Sequence, residues 1–183
     1  MVLVMGLGNP GPEYELTRHN EGFLAVDTLA EKYRVKLDRH EMHSVLGRGR
    51  AAGSDVIIAK PLTFMNESGR AAKGLLKAYG LGPEQMIVVY DEMDFPFAKV
   101  KRKFGGGGAG HNGVGSILER LGTDQFHRVR IGVGRPDRTK HNVDYLLTRF
   151  TDDELTDLNP VLEEAVNRIE ETLIAIKSHT QSQ

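Results

Sequence analysis

The sequence predicts a single α/β domain: a twisted mixed β-sheet flanked by helices on both faces, closed by a long C-terminal helix. Three observations carry that expectation. Apolar runs of strand length, such as Val56-Ile57-Ile58-Ala59 and Met86-Ile87-Val88-Val89, alternate with stretches of helical periodicity. A length of 183 residues suits one hydrophobic core. No internal repeat, low-complexity tract or long linker divides the chain, so residues 1–177 are read as one domain and 178–183 as a frayed tail.

Residues 2–7 form a buried-type strand stopped by the turn signal Gly8-Asn9-Pro10-Gly11. Phe23, Val26, Leu29, Ala30 and Tyr33 recur at helical spacing and predict an amphipathic helix over 22–33. Two strands, 44–51 and 55–59, are joined around Gly53-Ser54. A second helix over 69–79 is stopped by Gly80-Leu81-Gly82-Pro83, and 86–91 is another buried strand. Over 98–104 Val100 alternates with basic residues, as in a half-exposed strand. A short helix over 112–121 follows the glycine tract, then a strand over 128–133 with Val129, Ile131 and Val133 on one face. Thr151 and Glu154 make a capping box, and Asn159-Pro160 reads as an N-cap followed by the first helical residue. Val161, Leu162, Ala165, Val166, Ile169, Leu173 and Ile176 form the buried stripe of this last helix.

Composition removes several function classes. With no cysteine, disulfides, thiolate nucleophiles and Cys-ligated metal sites are excluded, and a reducing compartment is suited. No apolar run approaches a bilayer span, and the first six residues lack the basic start of a signal peptide. The net charge of −1 hides an asymmetry. From Lys99 to Lys140 ten basic residues face three acidic ones, a net of +7, whereas 151–171 holds eight acids against Arg168 alone. A basic surface for a polyanion, with an acidic helix elsewhere, is the reading this supports.

The candidate chemistry gathers at predicted carboxyl ends of strands, where open α/β sheets bind ligands. Gly6-Leu7-Gly8-Asn9-Pro10-Gly11 matches the G-x-G-x-x-G dinucleotide pattern, but Pro10 and Pro12 interrupt the helix that such a site needs. The loop is read instead as a sharp bend presenting Asn9. His19 lies in the polar loop Thr17-Arg18-His19-Asn20, and Asp91 ends a buried strand. A carboxylate bonded to one ring nitrogen fixes a histidine's tautomer and stabilises the imidazolium formed when it acts as a base. With no cysteine and no G-x-S-x-G serine, hydrolysis by His19 and Asp91 has to activate water directly. Asn9, Asn66 and Asn112 supply uncharged donors and acceptors suited to an ester, an oxyanion or a water, although Asn112 also fits a helix N-cap. His40 and His43 lack a third ligand, and no metal is expected. The tract from Lys101 to Asn112 is not a P-loop, because His111-Asn112 replaces Lys-Ser/Thr, yet a glycine loop entering a helix beside a basic strand suits a phosphate backbone. A non-catalytic RNA-binding protein and a nicotinamide enzyme are the other classes these features allow.

Taken in order along the chain, these motifs closely resemble bacterial peptidyl-tRNA hydrolases. The matching stretches are Gly6 to Gly11 with Tyr14, Thr17-Arg18-His19-Asn20, Lys60-Pro61, Thr63-Phe64-Met65-Asn66-Glu67-Ser68-Gly69 and Asp91-Glu92-Met93-Asp94, followed by the glycine tract through Gly113 and Phe126 to Pro136. The resemblance implies a monomeric, cytoplasmic, cofactor-free and metal-independent esterase that frees tRNA from peptidyl-tRNA dropped by ribosomes. It implies His19 as general base and Asp91 as its orienting carboxylate. Asn9 is similar to the residue that senses the blocked amino group; Asn66 and Asn112 match positions holding substrate and water; Tyr14 and Phe64 line the site. Lys103 and Arg130 fall where the family grips the tRNA 5′-phosphate, with the 3′ CCA end and acceptor-arm phosphates as the partner surface. A base of ordinary pKa implies activity falling below about pH 6.5. Two departures stand out: Ala109 in place of the usual glycine, expected to stiffen the loop, and Val114-Gly115 in place of a Leu-Lys or Leu-Arg pair, which removes a cation.

Overall fold

The computed structural model describes residues 1–183. Seven strands form one sheet: β1 (Val2–Gly6), β2 (Arg39–Glu41), β3 (Ser44–Ala51), β4 (Ser54–Pro61), β5 (Met86–Glu92), β6 (Val100–Phe104) and β7 (His127–Gly132). Five α-helices cover it: α1 (Glu21–Lys32), α2 (Ser68–Tyr79), α3 (Asn112–Leu121), α4 (Asn142–Leu146) and α5 (Asp152–Gln181).

The strand order is β2-β3-β4-β1-β5-β7-β6. The centre, β4-β1-β5-β7, is parallel, and both margins are antiparallel, through β2-β3-β4 on one side and β6-β7 on the other. Parallel strands covered on both faces need apolar residues at every position, which is why β1 and β5 are buried throughout. Val2, Val4, Ile87 and Val89 pack under α1 and α5, whereas Leu3, Met5, Met86 and Val88 face α2 and α3. The mixed sheet with two helical layers is the architecture expected from sequence.

Three details differ from expectation. Arg39–Glu41 and Asn142–Leu146 are too short to leave a periodic trace, and both form regular elements. Pro160 does not start a helix; it lies inside α5, whose only N-cap is Thr151. The proline sits on the exposed side of α5, so the Thr156 carbonyl it leaves without a helical donor faces water while Leu158, Val161 and Leu162 stay buried. The helix also continues through residues 178–181, beyond Ile176, its last buried side chain.

Candidate active site

The connection from β1 to α1 is set by contact distances. A Cβ on Gly8 would lie 2.6 Å from the Phe23 ring, and one on Gly22 would lie 2.3 Å from the Val89 carbonyl oxygen. Only bare backbone fits, so α1 is drawn tightly onto β1 and β5. The chain between them coils through two 3₁₀ turns, Pro12–Tyr14 and Arg18–Asn20, and α1 begins only at Glu21. No helix N-terminus meets the glycines, and the geometry of a dinucleotide loop is missing.

The second turn carries His19 and is fastened from the far end of the chain. Arg18 Nη2 bonds Glu154 Oε1 at 2.7 Å, Nη1 donates to the Arg149 carbonyl at 3.1 Å and to Thr148 Oγ1, and the guanidinium lies 4.3 Å from the Tyr145 ring centre. Phe150 N–H donates to the Leu16 carbonyl at 3.0 Å. The Glu154 side chain that completes the α5 capping box thus also holds the residue next to His19.

At the carboxyl end of β5, Asp91 is buried between two imidazoles. His19 Nδ1 lies 2.8 Å from Asp91 Oδ2, and His111 Nε2 lies 3.0 Å from Oδ1. The tautomers follow from the surroundings. His111 Nδ1 accepts the backbone N–H groups of Gly113 and Val114 at 3.1 and 3.3 Å, so its proton is on Nε2 and is donated to Asp91. An ionised Asp91 only accepts, so His19 donates through Nδ1 and keeps a lone pair on Nε2. That nitrogen bonds no protein group, and in this largely buried ring it is not among the atoms sealed from solvent. Burial alone would raise the Asp91 pKa, but the charge interactions and hydrogen bonds with His19 and His111 outweigh it and hold the carboxyl well below its ordinary range. Burial pulls His19 down, yet the Asp91 charge and hydrogen bond leave its pKa above the ordinary 6.5. The expectation of an unshifted base is corrected in that direction.

Ligand atoms of His19, Asp91 and His111 lie within 4.8 Å of one another. This spacing follows from two rings hydrogen-bonded to one carboxylate, with the ring nitrogens facing Asp91 occupied by protons. A metal ion would have to displace both.

Asn9 is locked beside this pair. Its backbone N–H donates to Asn20 Oδ1 at 2.8 Å and its carbonyl accepts Asn20 Nδ2 at 2.9 Å. Met65 N–H donates to Asn9 Oδ1 at 2.8 Å, so the amide is oriented with Nδ2 left unbonded as a donor. Asn66 follows Met65 in a 3₁₀ turn, and Asn112 is the first residue of α3; both are exposed and line one cleft with Gly108, Ala109 and His111. The helix cap is His111, not Asn112. Close packing brings the two together, since a Cβ on Gly69 would lie 2.2 Å from the Ser116 carbonyl oxygen.

The glycine loop is held in place by Arg128. This buried guanidinium donates to the carbonyls of Gly106 and Gly107 and lies 4.6 Å from the Phe126 ring centre. Ala109 takes a left-handed φ of 48°, which a glycine adopts without penalty. Lys101 pairs with Arg130 and Lys103 with Arg128 across β6 and β7, placing the four side chains on one face. Arg130 lies 3.7 Å from Glu92 and 4.7 Å from the Phe95 ring centre. Arg102 points to the opposite face, 3.5 Å from Glu171 of α5, so Arg102 and Arg128 are committed within the protein.

The structure therefore brings together His19, Asp91 and Asn9, places Asn66 and Asn112 along an adjoining cleft, and sets Lys103 and Arg130 on the β6–β7 face. Phe64 is 64% exposed just before the Asn66 turn. Tyr14 is half-buried in the Pro12–Tyr14 turn and bonds neither His19 nor Asp91. Sequence reasoning missed His111, Asn20 and Arg128. His111 had a visible signal, a histidine in the capping position before a predicted helix; the other two are defined only by long-range contacts.

A family model described as "Peptidyl-tRNA hydrolase" matches residues 3–183. A peptidyl-tRNA hydrolase of Bacillus cytotoxicus is 44% identical over 173 residues, covering 94% of this chain and 93% of the relative. One from Aquifex aeolicus is 46% identical over 164 residues, covering 90% and 85%. The crystal structure of peptidyl-tRNA hydrolase from Acinetobacter baumannii superposes with a TM-score of 0.89 at 33% identity, covering all of this chain and 91% of that one.

Proposed function

The chain belongs to the peptidyl-tRNA hydrolase family and hydrolyses peptidyl-tRNA, and we propose that His19 is the general base that takes the proton from the attacking water. The observation that carries this reading is the pairing of His19 Nδ1 with buried Asp91, which leaves Nε2 unprotonated and without a protein partner.

In the reaction, Nε2 takes a water proton as the water oxygen attacks the ester carbonyl carbon. The tetrahedral intermediate collapses with cleavage of the bond to the ribose 3′ oxygen. The proton held on His19 passes to that oxygen, releasing the tRNA 3′-hydroxyl and the peptide carboxylic acid. Asp91 stabilises the transient imidazolium, and Asn66 and Asn112 steady the water and the developing oxyanion. The Nδ2 donor of Asn9 suits an acyl carbonyl on the substrate nitrogen, a group that a free aminoacyl ester lacks. Phe64 and Tyr14 offer aromatic surface to the 3′ CCA end. Lys103 and Arg130 offer charge to the 5′-phosphate and acceptor arm.

We also place the enzyme in the cytoplasm, as a monomer of one domain over residues 1–177 and without a cofactor. The lack of cysteine suits that compartment, and no helix is long and apolar enough to cross a membrane.

Asp91→Asn tests the arrangement. An amide here donates to His19 Nδ1 and forces the proton to Nε2, the wrong tautomer for a base. On an N-acetylaminoacyl-tRNA, kcat should fall by at least about 10²-fold with KM nearly unchanged. An unaltered kcat would remove Asp91 from the mechanism.

A further inference from the structure

A second buried carboxyl lies beside the dyad and has no part in the steps above. Glu21, the first residue of α1, has no exposed surface, and neither of its oxygens meets a donor. The charged and titratable groups around it are Asp91 at the end of β5, Arg18 in the preceding turn, Tyr145 of α4 and Glu154 of α5, with His19 two residues before it in the chain. Arg18 is the only cation among them apart from a protonated His19. Its terminal nitrogens are taken by Glu154, Thr148 and Arg149, and its Nε is itself buried without a partner. Arg18 and Glu154 cancel each other, which leaves Asp91 as the net negative charge at the site. An ionised Glu21 would be a second one, without a donor and without a counter-ion.

We propose that Glu21 is a positioning residue that sets the charge behind the dyad: uncharged, it leaves Asp91 alone to polarise His19, and ionised, it adds a second negative charge that makes His19 a stronger base. The inference rests on His19 acting as the base. Burial foremost, then the charges of Asp91 and Glu154, push the Glu21 carboxyl well above its ordinary range against the pull of Arg18. Both groups interact with Asp91, so loss of the Glu21 proton and loss of the His19 proton are coupled through it.

The wild-type kcat profile should rise in two steps with pH. The lower step is His19 losing its proton; the upper is Glu21 ionising, with a roughly two- to fivefold increase from the stronger base. Glu21→Gln, an uncharged isostere, should keep the lower step and KM and lose the upper one. Wild-type protein carrying δ-¹³C glutamate provides a reading that needs no variant. The glutamate carboxyl most protected from a soluble paramagnetic agent should titrate well above the others. A single-step wild-type profile, a two-step profile unchanged by Glu21→Gln, or a protected carboxyl that titrates with the surface glutamates would each overturn the proposal. The carboxyl titration is independent of turnover, so a failure of His19 as base, seen in its own substitution, is distinguishable from a failure at Glu21.

Discussion

A neutral imidazole acts as a base only through the nitrogen that carries no proton, and at His19 the choice is made by Asp91. Asp91 in turn is kept ionised by two donors, of which His111 has its tautomer fixed by the first amides of α3. The helix cap and the carboxylate that faces His19 are thus one hydrogen-bonded unit. A consequence for pH follows with a definite sign. The charged form of His19 is favoured, so its pKa lies above 6.5, and protonated His19 cannot accept. Activity should be lost as pH falls through a midpoint above 6.5, read from the lower limb of kcat against pH; a midpoint below 6.5 would contradict the Asp91 interaction. His19, Asp91 and Asn9 were legible in the sequence because each ends a strand or sits in the loop that follows one. The place of His111 before a predicted helix was visible in the sequence, but its bond to a carboxylate twenty residues away exists only once the sheet brings the two near.

At the scale of elements, the apolar strands and amphipathic helices were readable because burial on one or both faces writes a period into the chain. Arg39–Glu41 and Asn142–Leu146 are too short to write one. Pro160 misled for a different reason. Asn-Pro is a common way to begin a helix, but α5 is already capped at Thr151, and one lost hydrogen bond on its wet side does not stop it. Pro160→Ala restores the donor to the Thr156 carbonyl and removes the ring. Even after the greater freedom of the unfolded chain is set against it, it should stabilise by about 1 kcal/mol or more. Thermal unfolding would show this as a rise of roughly 2–4 °C; a fall would mean the proline shapes α5.

Across the whole molecule, charge is sorted by the sheet. The +7 stretch folds into β6, α3, β7 and the loops that join and follow them, but its cations have different fates: Arg128 holds the glycine loop, Arg102 meets the acidic helix, and Lys101, Lys103 and Arg130 share one face. Composition revealed the basic tract, not this division. Lys103→Ala and Arg130→Ala should each weaken tRNA binding and reduce the slope of log K against log salt by about 1, with single-turnover rates nearly intact. Unchanged slopes would take the phosphate contact off this face. Catalysis itself is most directly tested by the single-turnover rate on N-acetylaminoacyl-tRNA at saturating His19→Ala enzyme, with tRNA binding measured alongside. Binding should hold while the rate drops by at least about 10²-fold; a rate within a few-fold of wild type would contradict the role of His19 as the base.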